Sequence, residues 1–213
     1  MKPFIGAGTA QWPEGTLVPH LYLLPNRSNT ANADFFDLAA RHRQILADRF
    51  SHLLTPVQER WLHATVQMVS DPHTPHLSKD VLSELIDRLG SQISPLTPFA
   101  MEAAPHVGKS GPGLDLAPDG DFDRLVEVTG AVLDAVLGQT RASYRTNAPH
   151  ITTGYCHTAA DSGPVASALR ASRPSRARLI VDSVALVMVT QDAGQHAYKW
   201  EPPLAVIGLQ GSA

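Results

Sequence analysis

The sequence predicts an α+β fold made of two similar lobes, and three observations lead there. Strand-like runs and amphipathic stretches follow one another without the steady βαβα alternation of a doubly wound sheet. Seventeen prolines and fifteen glycines in 213 residues supply the turns that many short elements need. A long amphipathic stretch followed by a His-x-Thr strand occurs twice, at one fixed offset.

In chain order, Leu17–Leu24 (LVPHLYLL) reads as a first strand closed by Pro25-Asn26, with Pro19 pointing to an edge or a strand start. Asp34 caps the next helix, DFFDLAARHRQILADRF, whose Phe35, Leu38, Ile45, Leu46 and Phe50 form one apolar face. Trp61–Val69 alternates as a strand. Leu62, Ala64, Val66 and Met68 point one way; Trp61, His63, Thr65 and Gln67 point the other. Asp71–His76 is a proline-punctuated turn. Ser78 caps a helix over Lys79–Leu89 that Gly90 ends. Phe99–Val107 and Leu114–Leu116 are strands around a Gly-rich turn. Asp121–Leu137 is a second long helix stopped by Gly138. His150–Cys156 is a strand and Pro164–Ala171 a short helix. Arg178–Thr190 and Tyr198–Leu209 are two closing strands joined by a polar turn at Gln191–Gln195.

Composition narrows the function classes. At 43% hydrophobic and 17% charged residues, the chain is too apolar for disorder. Its length suits a single domain over 1–213, with two lobes sharing a core. A net charge of −3 argues against a sequence-blind grip on long nucleic acid, which takes many Lys/Arg–phosphate contacts. The lone Cys156 excludes an intrachain disulfide framework and a Cys-rich zinc module. No apolar run approaches the roughly 18 residues of a membrane helix. The first sixteen residues lack the apolar core of a signal peptide, so a cytoplasmic protein with no membrane partner is expected.

The repeat locates the chemistry. At an offset of 87 residues Asp34-Phe35 meets Asp121-Phe122, Leu38 meets Leu125, Ile45 meets Val132, and Leu46 meets Leu133. The same offset carries His63 onto His150 and Thr65 onto Thr152. A duplicated lobe packed about a pseudo-two-fold axis would set the two His-x-Thr strands side by side. Residues i and i+2 share a strand face, so two imidazoles and two hydroxyls would converge on one cleft. That set suits phosphodiester cleavage. One imidazole deprotonates the attacking water, the other protonates the departing oxygen, and the hydroxyls donate to the phosphate oxygens. No metal or other cofactor is needed for this.

His63-Ala64-Thr65-Val66 and His150-Ile151-Thr152-Thr153 resemble the paired signatures of the 2H phosphoesterase superfamily. The branch most similar is the bacterial 2′-5′ RNA ligase-like, or RNA 2′,3′-cyclic phosphodiesterase, proteins. The resemblance implies a bilobal fold, with antiparallel sheets flanking a central groove and helices outside. It also implies hydrolysis of 2′,3′-cyclic phosphates of small nucleotides or short RNA ends. Thr153 stands where the second motif usually has a hydrophobic residue, and Gly154-Tyr155 follow where some members carry an arginine.

Each motif also has a plainer reading. His63 and His150 could be unrelated strand histidines, and Thr65 and Thr152 could reflect β-propensity. Trp61, on the face of His63, and Tyr155 are candidates to stack a nucleobase, as are Tyr22, Tyr198 and Trp200; otherwise they are core or groove wall. Asp71, His73 and His76 could offer metal ligands but read first as a turn. Cys156 and His157 are strand neighbours pointing to opposite faces, so they cannot pair directly. Gly108-Lys109-Ser110 lacks the leading glycine of a phosphate-binding loop and reads as a hairpin turn. Arg170, Arg173, Arg176 and Arg178 form either a groove rim or a solvated face. The alternatives to hydrolysis are 2′-5′ end joining and a non-catalytic nucleotide-binding protein on the same scaffold. No obligate protein partner is evident.

Overall fold

The computed structural model describes residues 1–138, 141–142 and 148–212. Its strands are β1 (Val18–Leu23), β2 (Leu54–Pro56), β3 (Ala64–Met68), β4 (Phe99–Val107), β5 (Pro112–Ala117), β6 (His150–Thr152), β7 (Gly154–Cys156), β8 (Ala177–Val181), β9 (Ser183–Asp192), β10 (Ala197–Trp200) and β11 (Ala205–Gly208). Its helices are α1 (Ala33–Phe50), α2 (Lys79–Ile93), α3 (Gly120–Leu137) and α4 (Gly163–Ala171).

The fold is α+β, as predicted, with a two-stranded sheet, β2-β7, and two larger antiparallel sheets among the described residues. One has the order β10-β9-β1-β3, with β11 also on β9; the other has the order β6-β5-β4-β8. The strands that carry the two motifs, β3 and β6, are the end strands of their sheets and touch each other. Helices α2 and α3 pack on the first sheet, and α1 and α4 on the second.

The repeat is visible in the helices. Helices α1 and α3 each have 18 residues and start at the predicted offset, Ala33 against Gly120. Each lies over the sheet that holds the motif strand following the other: α1 contacts β8, in the sheet of β6, whereas α3 contacts β3. The principal core runs through both larger sheets, from Leu21 and Val66 in one sheet to Met101, Leu114 and Leu179 in the other, with Phe35, Leu85 and Phe122 from three helices. A side chain of this kind contributes about 1.5–3 kcal/mol on full burial.

Several boundaries differ from expectation. Pro19 lies at a strand start but not at an edge, because β1 runs between β9 and β3. Its carbonyl accepts from Val69 N at 2.9 Å, just past the end of β3, where the missing N–H leaves no ladder partner orphaned. Helix α1 begins one residue before Asp34, with Asn32 at its cap position. Asn32 holds Ile180 instead, with Ile180 N donating to its Oδ1 at 2.7 Å. Ser78 caps α2 as expected, accepting from Val81 N at 3.2 Å, but Gly90 does not end the helix. The packing of buried Leu89 and Ile93 carries it on to residue 93.

Three predicted strands are each two. The chain breaks at Thr153, so β6 pairs with β5 and β7 with β2. It breaks at Asp182, so β8 and β9 belong to different sheets; the Asp182 carboxylate accepts from Asn26 Nδ2 and Asn29 Nδ2, each at 3.0 Å. It breaks again at Pro202-Pro203, leaving β10 and β11 in succession along β9.

Candidate functional site

The alternation expected over Trp61–Val69 holds for only part of that run. Glu59–Trp61 is a 3₁₀ turn, so Trp61 does not share a strand face with His63. Its indole Nε1 donates to Trp200 O at 3.4 Å, and the Arg60 guanidinium lies 4.2 Å from its ring. Within β3 the register shifts. Leu21 faces Gln67 while Tyr22 faces Thr65, so Val66 is an extra residue, a β-bulge. The bulge turns Met68 away from the principal core to the Tyr22 side of the sheet. It also turns Gln67 inward, where Nε2 donates to Val126 O at 2.8 Å.

His63 stands at the entry to β3 and His150 begins β6. His63 Nδ1 lies 2.9 Å from Trp61 O, and His150 Nδ1 lies 2.9 Å from Ala148 O. Both acceptors are two residues upstream, so the contact itself repeats at the offset of the motifs. It assigns the proton to Nδ1 and leaves Nε2 as the free nitrogen of each neutral ring.

The surroundings of the two rings differ. His63 is 7% exposed. Tyr22 stacks on it at 4.0 Å, and the Trp200 ring meets it edge-on at 4.9 Å. Burial holds its imidazole far down, at about 3. The bond to Trp61 O pulls the other way, and the positive charges that His20 and His150 can carry push it lower still. Strand β3, which His63 leads into, touches β6, which His150 begins. His150 is exposed. His20, which sequence reasoning passed over, is buried on the Tyr22 side of β1 and held at about 4 by burial. Its Nδ1 takes Val18 O at 3.0 Å, the third repetition of the same local bond.

Beside His150 is a cleft of about 380 Å³, toward the small end of the ~300–1,000 Å³ typical of ligand sites. His150, Thr152, Tyr155, His106, Lys109 and Asp115 are among its lining. His63, Thr65 and Trp61 lie outside it. Of the six residues singled out from the sequence, three therefore line the cleft, and His63 is packed against Tyr22 and Trp200 outside it. Thr65 and Thr152 are half-buried. Tyr155 is buried against Phe4, with ring centroids 4.3 Å apart, and burial pushes its hydroxyl pKa up.

The β4–β5 register explains the open floor. His106 faces Gly113, which faces Thr152, in one row across three strands. Two residues along β5, Asp115 stands against His150. A Cβ on Gly113 would stand 2.8 Å from Ile151 O, so only glycine lets β6 approach this closely. Gly108–Gly111 forms the hairpin turn expected there, with Gly108 N donating to Gly111 O at 2.9 Å.

The other motifs take the plain reading. Asp71 Oδ1 accepts from His73 N in a local turn, and no group of three or more metal-ligating side chains occurs among the described residues. Cys156 is buried, its thiol directed at Leu53 O and Thr158 O. The four arginines lie on α4, β8 and the loop joining them, where Arg176 pairs with Glu102 and Arg173 with main-chain oxygens. None of them lines the cleft. No helix among the described residues is long and apolar enough to cross a membrane.

No protein-family model matches the sequence, and no curated protein matches it. Solved structures do. TT0787 of Thermus thermophilus matches with a TM-score of 0.64 at 16% identity, covering 92% of this chain and 100% of that one. Escherichia coli LigT in its apo form matches at 0.60 and 13%, covering 91% and 97%. A protein described as a phosphoesterase matches at 0.58 and 14%, covering 91% and 98%. LigT has also been solved with NADP+, 3′-AMP, ATP and phosphate. Agreement over almost the whole length of both chains shows that this chain shares the α+β fold of these structures.

Proposed function

We propose that the chain is a metal-independent phosphodiesterase that hydrolyses 2′,3′-cyclic phosphates of nucleotides or short RNA ends by two-histidine acid–base catalysis. The observation that carries this reading is the matched tethering of His63 and His150, each bonded through Nδ1 to the carbonyl two residues upstream. A tethered ring offers Nε2 in a fixed direction, as a positioned proton donor or acceptor must. The nucleotide complexes of LigT, on the same fold, support a small nucleotide as ligand.

The electrostatics suggest the division of roles. His63 is held neutral in its buried pocket and so has a nitrogen free to accept a proton, at the cost of basicity that burial removes, which assigns it the base; His150, exposed at the cleft, is assigned the acid. In the step, the water oxygen bonds to phosphorus as the bond from phosphorus to one ribose oxygen breaks. The water proton passes to His63 Nε2, and the proton on His150 Nε2 passes to the departing oxygen. Thr65 and Thr152 donate to the non-bridging oxygens as charge grows on them. Tyr155 walls the cleft. Trp61, bonded to Trp200 O and covered by Arg60, is assigned to structure rather than to base stacking. End joining is the same displacement with the hydroxyl of a second ribose as the attacking group in the place of water.

The cover of Tyr22 and Trp200 over His63 favours a second reading, a nucleotide-binding protein without turnover. Incubation with adenosine 2′,3′-cyclic phosphate in EDTA, followed by chromatography, separates the two. Accumulating monophosphate supports the enzyme; binding with no product supports the second reading.

A further inference from the structure

The cleft is electrically polar along its length. Asp115 lies at one end, beside His150; Lys109 lies at the other, in the hairpin turn. His106 joins Lys109 there. Its Nε2 is 3.4 Å from where a Cβ on Gly108 would stand, so the imidazole leans toward the turn rather than toward β6. Ser110 lines the same end. The turn is fixed from outside, because Lys2 N donates to Lys109 O at 2.7 Å. Between the two ends the floor is Gly113. Adjacent strands are about 4.8 Å apart, so His106 and Thr152, two strands apart in one row, are separated by roughly 10 Å with no side chain between them.

Resting on the reading of His150 and Thr152 as the phosphodiester-holding side, we propose that His106, Lys109 and Ser110 form a second anion subsite, for a further phosphate of the same nucleotide. The gap over Gly113 has room for a ribose, and the cleft volume fits one nucleotide rather than two. The phosphate spanning this gap from a 3′-side phosphate is the one on the ribose 5′ oxygen. A terminal nucleotide of RNA carries that phosphate and a free cyclic nucleoside does not. The substrate class selected is therefore a cyclic-phosphate end bearing a 5′-phosphate or 5′-phosphodiester. Lys109 supplies a fixed positive charge, and His106 and Ser110 supply further donors.

The test is calorimetric titration of the full chain with adenosine 3′,5′-bisphosphate, 3′-AMP and inorganic phosphate. Wild type, Lys109→Ala and His106→Asn are compared, with Arg173→Ala as a charge-matched change on the surface beyond α4. Because hydrogen bonds to charged groups are the strong ones, the bisphosphate is expected to bind about tenfold or more tighter than 3′-AMP. Lys109→Ala and His106→Asn should each shrink that ratio, and Arg173→Ala should not. A ratio near one in wild type overturns the subsite, as does a ratio that survives both substitutions. Inorganic phosphate binding as tightly as the bisphosphate overturns the nucleotide assignment in favour of a free-anion site. A Lys109-dependent preference without turnover of any cyclic phosphate would keep the subsite and remove the hydrolase reading.

Discussion

His63 and His150, 87 residues apart, each direct Nδ1 at a main-chain oxygen two residues upstream, at 2.9 Å in both cases. The local backbone conformation is therefore repeated with the motif, and the repeat reaches the tautomer of the ring. What differs is the solvent: one ring is sealed by Tyr22 and Trp200, and the other lies open at the cleft.

That difference fixes the expected pH dependence. With His63 held at about 3, its neutral form persists far below the ordinary histidine range, so kcat/KM should stay high through mildly acid pH. Initial rates on a 2′,3′-cyclic nucleotide across the pH range test this. An acid limb near the unperturbed value of about 6.5 contradicts the assignment of His63 as base.

Stability should depend on the same burial. His20, His42 and His63 are held at about 4, 4 and 3 in the folded chain against 6.5 unfolded. Between those values the unfolded chain binds more protons, so acid favours unfolding. Each histidine then removes about 1.4 kcal/mol per pH unit as pH falls from about 6.5 toward about 4. Urea unfolding midpoints at pH 7 and pH 5 should differ clearly. His42, buried with both ring nitrogens unpartnered in the packed interior, makes His42→Leu the informative variant. It should lessen the acid loss, and an unchanged slope contradicts the claim.

Gly113→Ala introduces a Cβ 2.8 Å from Ile151 O, a main-chain atom that must move. Strand β6 has only three residues, two of them His150 and Thr152. A displacement of about 1 Å at reacting groups costs roughly a hundredfold, so kcat/KM should fall by about that factor. Overpacking should lower stability by about 1–3 kcal/mol. Steady-state kinetics and thermal melts measure the two effects. Full activity in this variant would mean that β6 does not position the chemistry.

Thr65→Val and Thr152→Val keep side-chain shape and remove the hydroxyl. If the hydroxyls stabilise charge only as it builds on phosphate, kcat should fall with KM little changed, by about tenfold to a hundredfold for each. A rise in KM alone would assign them to ground-state binding.

Much of this was legible in the sequence because it repeats. The apolar positions shared by α1 and α3 located both helices to within a residue, and the His-x-Thr pair located the end strands β3 and β6. What escaped was set by distant parts of the chain. The bulge at Val66 depends on its pairing with β1, so alternation assigned Met68 to the wrong face. Asp182 and Thr153 interrupt runs with strong β-propensity, because the flanking halves find different partners. His106 carried no motif and Gly108-Lys109-Ser110 read only as a hairpin turn; the β4–β5 register is what sets His106 across Gly113 from Thr152, with Lys109 in the same cleft. The cover over His63 is built from Tyr22 and Trp200, residues 41 positions before it and 137 after it, which no local pattern connects.

The central claim is that two imidazoles act together on one phosphorus. Hydrolysis of adenosine 2′,3′-cyclic phosphate in EDTA by wild type, His63→Ala, His150→Ala and the double variant tests it most directly. Each single change should lower kcat by about 10²–10⁴, and the double variant should be little worse than either, since the two act as a unit. Full turnover in His63→Ala would leave the buried ring without a chemical role and contradict the account.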